Sequence, residues 1–281
     1  MSVDIELGAL KMNVGKQIRL NRLFSDPSGK FCSLAIDHFM LYESGLPNGL
    51  RDLPGVLETL IPAKPDAVTM NKGVVTSCWG PYAGRVPLIL QGSGIVRPDD
   101  RADEFLAVPE DAVRLGADAF AVVAFVRGKT EAAHLRRVAD FVRQAEAWDM
   151  PVIMHVYARK FSASGQVEIS TEPEEVAWAV RCGVEVGVDV IKASYTGDVS
   201  SYSEIVRSCP VRLVAASGPT TETVRESLEM AAGVMAGGAR GMTIGRNIWG
   251  AADPEKALEA FKMVIHGRAS ADQALEQMGL E

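Results

Sequence analysis

Three polar side chains stand where strand-like sequence leaves them no surface to reach. Lys192 interrupts DVIKASY (189–195), Asp37 closes CSLAID (32–37), and Tyr157 closes PVIMHVY (151–157). A desolvated lysine has its charged form disfavoured, so its pKa falls and more free amine is present at neutral pH. Such an amine can attack a ketone or aldehyde and form a Schiff base, an electron sink for breaking or making the adjacent carbon–carbon bond. A tyrosine or carboxylate must then move protons. Lys192, Tyr157 and Asp37 supply that set.

The chemistry requires a framework that brings the three together. Short apolar segments recur along the chain and predict eight strands: 32–37, 67–71, 87–92, 119–126, 151–157, 189–195, 211–217 and 241–246. Amphipathic stretches such as EAAHLRRVADFVRQAEAW, PEEVAWAVRCGVEVG and TETVRESLEMAAGVMAGG fill gaps between them with apolar residues at three- and four-residue spacing. Gly116, Gly187 and Gly238 close helical segments where a left-handed C-cap is needed. Alternating β and α elements imply a parallel sheet, and eight repeats in 281 residues favour a closed (β/α)₈ TIM barrel over an open doubly wound sheet. The expected organisation is an N-terminal extension over 1–30 and one barrel domain over 31–281. The polar segment IVRPDDRADEF (95–105) is long enough to lie over a barrel mouth.

Strand parity then assigns faces. Side chains alternate between the outer helices and the barrel interior, and an unpaired ammonium between strand and helix is very costly. Lys192 is therefore expected to point inward with Val190 and Ser194. The same test puts Ser33, Ala35 and Asp37 inside, and Ile153, His155 and Tyr157 inside, while Leu34, Ile36, Val152, Met154 and Val156 face the helices. Asp37, Tyr157 and Lys192 thus converge at the C-terminal strand ends, where barrel active sites are built. An interior Lys–Asp pair alone is equally compatible with a satisfied buried salt bridge. Its convergence with Tyr157 favours chemistry.

The seventh predicted strand runs into SGPT (217–220) and the eighth into GRN (245–247). Glycines let backbone N–H groups approach an anion and an arginine balances its charge, so Ser217, Gly218, Gly245 and Arg246 are candidates for a phosphate site. His38, Asn71 and His155 are further candidate substrate contacts.

Composition narrows the class. The formal net charge is −7, which gives no electrostatic support to nucleic-acid or anionic-membrane binding. No apolar run reaches about 18 residues and the first 24 residues lack a secretory h-region, so the sequence reads as cytosolic. Cys32, Cys78, Cys182 and Cys209 have no paired spacing and read as reduced thiols. His38, His134, His155 and His266 show no metal-ligand spacing, which weighs against a zinc-dependent mechanism.

At these residues the chain resembles the archaeal-type class I fructose-bisphosphate aldolase family, including its branch of 2-amino-3,7-dideoxy-D-threo-hept-6-ulosonate synthases. The resemblance runs from GKQIRLNRLF (15–24) through AIDHF, GLPNGLRDL, MNKGV, GADAFAV, MPVIMHVYARK and DVIKASYTGD to GRNIWG. It implies a (β/α)₈ barrel, a Schiff-base lysine at Lys192, a proton-transferring tyrosine at Tyr157 and a strand-one aspartate at Asp37. It also implies phosphate loops at Ser217, Gly218, Gly245 and Arg246, a sugar-phosphate substrate, no metal or other cofactor, and a homo-oligomer such as a decamer of two pentameric rings. Phe39 stands where many relatives carry glycine, and SGPT replaces the common GGPK. The related autoinducer-2 phosphate thiolases share the lysine but transfer an acyl group; Tyr157 favours aldol chemistry. A barrel that only binds a sugar phosphate would need no nucleophile.

Overall fold

The computed structural model describes residues 13–38, 46–93, 105–162 and 167–280. Nine strands are present among them: β1 (Phe31–Ala35), β2 (Ala67–Asn71), β3 (Leu88–Gln91), β4 (Ala119–Val126), β5 (Val152–Phe161), β6 (Val167–Ile169), β7 (Val190–Ala193), β8 (Arg212–Ala216) and β9 (Gly241–Ile244). The helices are α1 (Val14–Leu23), α2 (Leu53–Leu60), α3 (Lys72–Cys78), α4 (Pro109–Arg114), α5 (Glu131–Glu146), α6 (Pro173–Glu185), α7 (Val199–Ser208), α8 (Val224–Ala236), α9 (Arg246–Trp249), α10 (Pro254–Ile265) and α11 (Ala271–Met278). All strands but β6 pair in parallel, and the β4–β5 and β1–β9 pairings close the sheet on itself. The fold is the expected (β/α)₈ barrel.

Strand alternation separates two packing zones. Leu34, Val152, Met154, Val156, Ile191 and Ala193 join the large core between strands and helices. Their neighbours Phe31, Ile89, Ile153, Val190 and Val214 form a second cluster inside the barrel. Two residues further along the same strands, Ser33, Gln91, His155 and Lys192 are buried polar groups. Parity thus separates Cys32, Leu34, Ile36, Val152, Met154, Val156, Ile191 and Ala193 from Ile153 and Val190 as the sequence pattern requires.

The segment before β1 completes the barrel floor. Leu20 and Leu23 of α1 are fully buried and pack into the interior cluster beneath Phe31 and Val190. Lys16 pairs with Asp189 at 3.0 Å, and the other Asp189 oxygen accepts a hydrogen bond from Val152 N–H at 2.9 Å. Helix α1 is thereby tied to the entrance of β5 and β7, and this part of the 1–30 segment packs as one unit with the barrel.

Helix ends follow local chemistry. Gly116, Gly187 and Gly238 adopt positive φ as expected of C-caps. In YTGD, Gly197 takes φ +86°, and Asp198 accepts a hydrogen bond from Ser201 N–H at 2.8 Å to cap α7. The last residue of that motif is therefore the N-cap of α7. The unexpected element is β6, which runs antiparallel to the far end of β5, with Lys160 opposite Glu168. Its three-residue length gives no usable period in sequence. Among the described residues no helix is long and apolar enough to cross a membrane.

Candidate active site

A cavity of about 1040 Å³ opens at the C-terminal strand ends. His38, Tyr157, Lys192, Ser217, Gly218 and Arg246 line it, which brings together six of the residues singled out by sequence. Asp37, Asn71, His155 and Gly245 are not among its lining residues. Asp37 and His155 are nevertheless close enough to Lys192 to act on its charge or be acted on by it. Asn71 lies at the β2–α3 junction with Gln91 as its strand partner. Phe39 and residues 94–104 lie outside the described residues.

Three strands deliver the titratable groups, β5 supplying two of them. His155 on β5 is the register partner of Lys192 on β7, and Tyr157 stands two residues beyond, opposite Phe125 on β4. The Phe125 and Tyr157 rings are 6.0 Å apart between centroids, so the phenol rests on an apolar wall formed by Val123 and Phe125. Asp37 follows β1, its Oδ2 accepting a hydrogen bond from Gln91 Nε2 on β3 at 2.8 Å and its Oδ1 lying 3.5 Å from His38 Nδ1.

The electrostatics follow from burial in company. Burial lowers the Lys192 pKa to about 8; Asp37 pulls it upward and Arg246 pushes it further down. At pH 7 roughly one amine in ten is then neutral, against about one in 2,500 for an ordinary lysine. Burial and the Lys192 charge push His155 well below its usual range, and burial takes His38 to about 4 despite the opposing pull of Asp37. Both imidazoles are therefore neutral at pH 7. Tyr157 is driven upward by burial and by Asp37, so it keeps its proton. Burial alone would raise Asp37, but nearby positive charge and the Gln91 hydrogen bond outweigh it and hold the carboxyl below the ordinary value. The site offers a partly neutral amine, a proton-bearing phenol and an ionised carboxylate.

The two loops predicted to meet an anion are joined to each other. Arg246 donates to the Gly218 carbonyl at 2.6 Å, and Asn247 Nδ2 donates to the carbonyls of Ser217 and Pro219 at 3.4 and 3.3 Å. Thr221 N–H donates to Asn247 Oδ1 at 3.0 Å, and Gly218 sits at φ +65°. At Gly245 a Cβ would lie 2.5 Å from His38 Cε1 and 2.8 Å from the Ala35 carbonyl oxygen. Only glycine lets β9 end against the His38 loop. Among the described residues no group of three or more His, Cys, Asp or Glu could hold a metal ion.

Several site residues escaped sequence reading. Gln91 was discoverable by parity, standing two residues after the inward Ile89 in PLILQG, and Thr243 likewise precedes Gly245 by two. Glu168 and Ile169 of the short β6 and Thr171 just after it line the cavity, and Met230 and Gly233 line it from α8. Nothing local in the sequence marks those positions.

A closed parallel barrel with a buried titratable cluster at its C-terminal mouth defines an enzyme of the (β/α)₈ class. The chain belongs to the DeoC/LacD aldolase family, whose model matches residues 31–251. It is similar to the class 1 fructose-bisphosphate aldolase of Thermoproteus tenax, with 31% identity over 248 residues, 85% of this chain and 90% of that one. The 2-amino-3,7-dideoxy-D-threo-hept-6-ulosonate synthase 1 of Archaeoglobus fulgidus is 27% identical over 269 residues, 95% and 96% of the two chains. A solved archaeal fructose-1,6-bisphosphate aldolase, whose catalytic lysine is covalently bound to the carbinolamine intermediate of the substrate, superposes with a TM-score of 0.78. It is 29% identical, and the match covers 90% of this chain and all of that one.

Proposed function

We propose that this aldolase is a metal-independent, Schiff-base enzyme acting on a phosphorylated ketose, with fructose 1,6-bisphosphate as the first substrate to test. The observation that carries the reading is the Lys192 amine, buried beside Tyr157 and Asp37 with its pKa lowered to about 8. The neutral amine adds to the substrate carbonyl to give a carbinolamine. Loss of water then leaves an iminium ion. The iminium accepts the electron pair of the breaking carbon–carbon bond, releasing an aldehyde and leaving an enamine. Protonation of the enamine carbon and hydrolysis return the amine.

Proton roles divide by environment. Tyr157, which holds its proton, serves as the donor, and Asp37, which is ionised, serves as the acceptor or as a contact to substrate hydroxyls. Arg246 and the 217–219 loop form the phosphate site, with Gly245 giving the close backbone approach; His38, His155 and Asn71 shape the surroundings. Tyr157 favours this reading over acyl transfer, which needs no such donor for an enamine.

The test is borohydride reduction in the presence of dihydroxyacetone phosphate, followed by intact mass and peptide mapping. A stable adduct on Lys192 is expected, with its rate of formation rising as pH increases toward and through about 8, because deprotonation frees the nucleophile. An adduct on another lysine, or none with this or any keto-sugar phosphate, sinks the proposal.

A further inference from the structure

The hydrogen bonds around Asp37 distinguish its two carboxylate oxygens. Gln91 is buried on β3, only 2% exposed, and its amide is held at both ends. Ser93 N–H donates to Gln91 Oε1 at 3.0 Å, and a backbone N–H can only donate. The amide is therefore oriented with its oxygen toward Ser93 and its NH₂ toward Asp37. Ser93 is itself fixed, because Val123 N–H on β4 donates to its hydroxyl at 2.7 Å. A continuous chain thus runs from β4 through Ser93 and Gln91 to the carboxylate after β1.

We propose that Gln91 is a positioning residue that holds Asp37 Oδ2 as a hydrogen-bond acceptor, so that Asp37 exchanges protons chiefly through Oδ1. An NH₂ donor 2.8 Å from Oδ2 occupies one of its lone pairs and makes it the less basic of the two oxygens, so a proton goes preferentially to Oδ1. The carboxyl cannot rotate to swap its oxygens without leaving the buried amide unpaired, which is costly. Oδ1 remains, 3.5 Å from His38 Nδ1. Four groups act on this carboxylate: His38 from the loop after β1, His155 from β5, Lys192 from β7 and Gln91 from β3; the carboxylate in turn acts on Tyr157. Among the groups that hold the carboxyl ionised against burial, His38, Lys192, His155 and Gln91, only Gln91 does not itself titrate.

The inference that this matters for turnover rests on the aldolase reading above; the oxygen assignment does not. Two variants and two readouts separate them. In Gln91→Leu the Schiff base with dihydroxyacetone phosphate should still be trapped on Lys192, while exchange of its C3 proton with D₂O, followed by NMR, slows about tenfold or more. Infrared difference spectra against Asp37→Asn should show the Asp37 carboxyl titrating at higher pH than in wild type. Gln91→Glu, which can donate only while protonated, should lose exchange as pH rises through its own titration. An Asp37 titration that is the same in wild type and both variants overturns the lock, whatever the exchange rates do. If wild type neither traps nor exchanges, the aldolase reading fails, and the infrared titration still decides the role of Gln91.

Discussion

The barrel interior carries two chemistries on the same strands, two residues apart. Near the floor, Ile89, Ile153 and Val190 pack with Leu20 and Leu23 of α1 into an apolar plug. One step toward the mouth, Gln91, His155 and Lys192 occupy the next inward positions and are equally buried, yet polar. The lower layer gains hydrophobic free energy from burial. The upper layer spends part of it on desolvation, and what it obtains is a lysine with pKa about 8 and a tyrosine that holds its proton. The fold can carry that cost because the plug beneath is apolar and fully buried.

The comparison breaks most sharply at the upper layer. Lys192→Met should remove turnover, by roughly 10³-fold or more, because among the described residues no other lysine lines the cavity. Circular dichroism should stay native; wild-type rates would refute the nucleophile. At the floor, Leu20→Ala should do the reverse, lowering unfolding free energy by about 2–5 kcal/mol in a denaturant titration while borohydride trapping on Lys192 remains at wild-type extent in folded protein. Loss of trapping without loss of stability would show that the two layers are not separable. Tyr157→Phe sharpens the contrast within the mouth: the adduct should still form, but turnover should slow by roughly 10²-fold. Full activity in that variant would move the donor role to another group.

Much of this was legible from short-range pattern. Period-two alternation put His155 and Tyr157 on the interior face of β5 and Lys192 on that of β7, because a pleated strand has only two faces and an uncompensated charge excludes one of them. Gly116, Gly187 and Gly238 were readable as helix ends for an equally local reason, the steric freedom of a residue without Cβ. Gln91 was within reach of the same argument. The short β6 was not, since three residues carry no period, and neither were Met230 and Gly233, which meet the cavity because α8 packs against Tyr195, whose hydroxyl would lie 2.8 Å from a Cβ at Gly233.

The sequence by itself determined the barrel, the inward lysine, tyrosine and aspartate, and the glycine-marked ends of the last two barrel strands, because each depends on residue type and on neighbours a few positions away. Tertiary structure alone decided that α1 plugs the floor, that Arg246 and Asn247 fasten the 217–219 loop, and that Gln91 holds one oxygen of Asp37. Those contacts join residues tens to hundreds of positions apart, and the energies that orient them, desolvation and directional hydrogen bonding, exist only once closure of the barrel has removed the water between them.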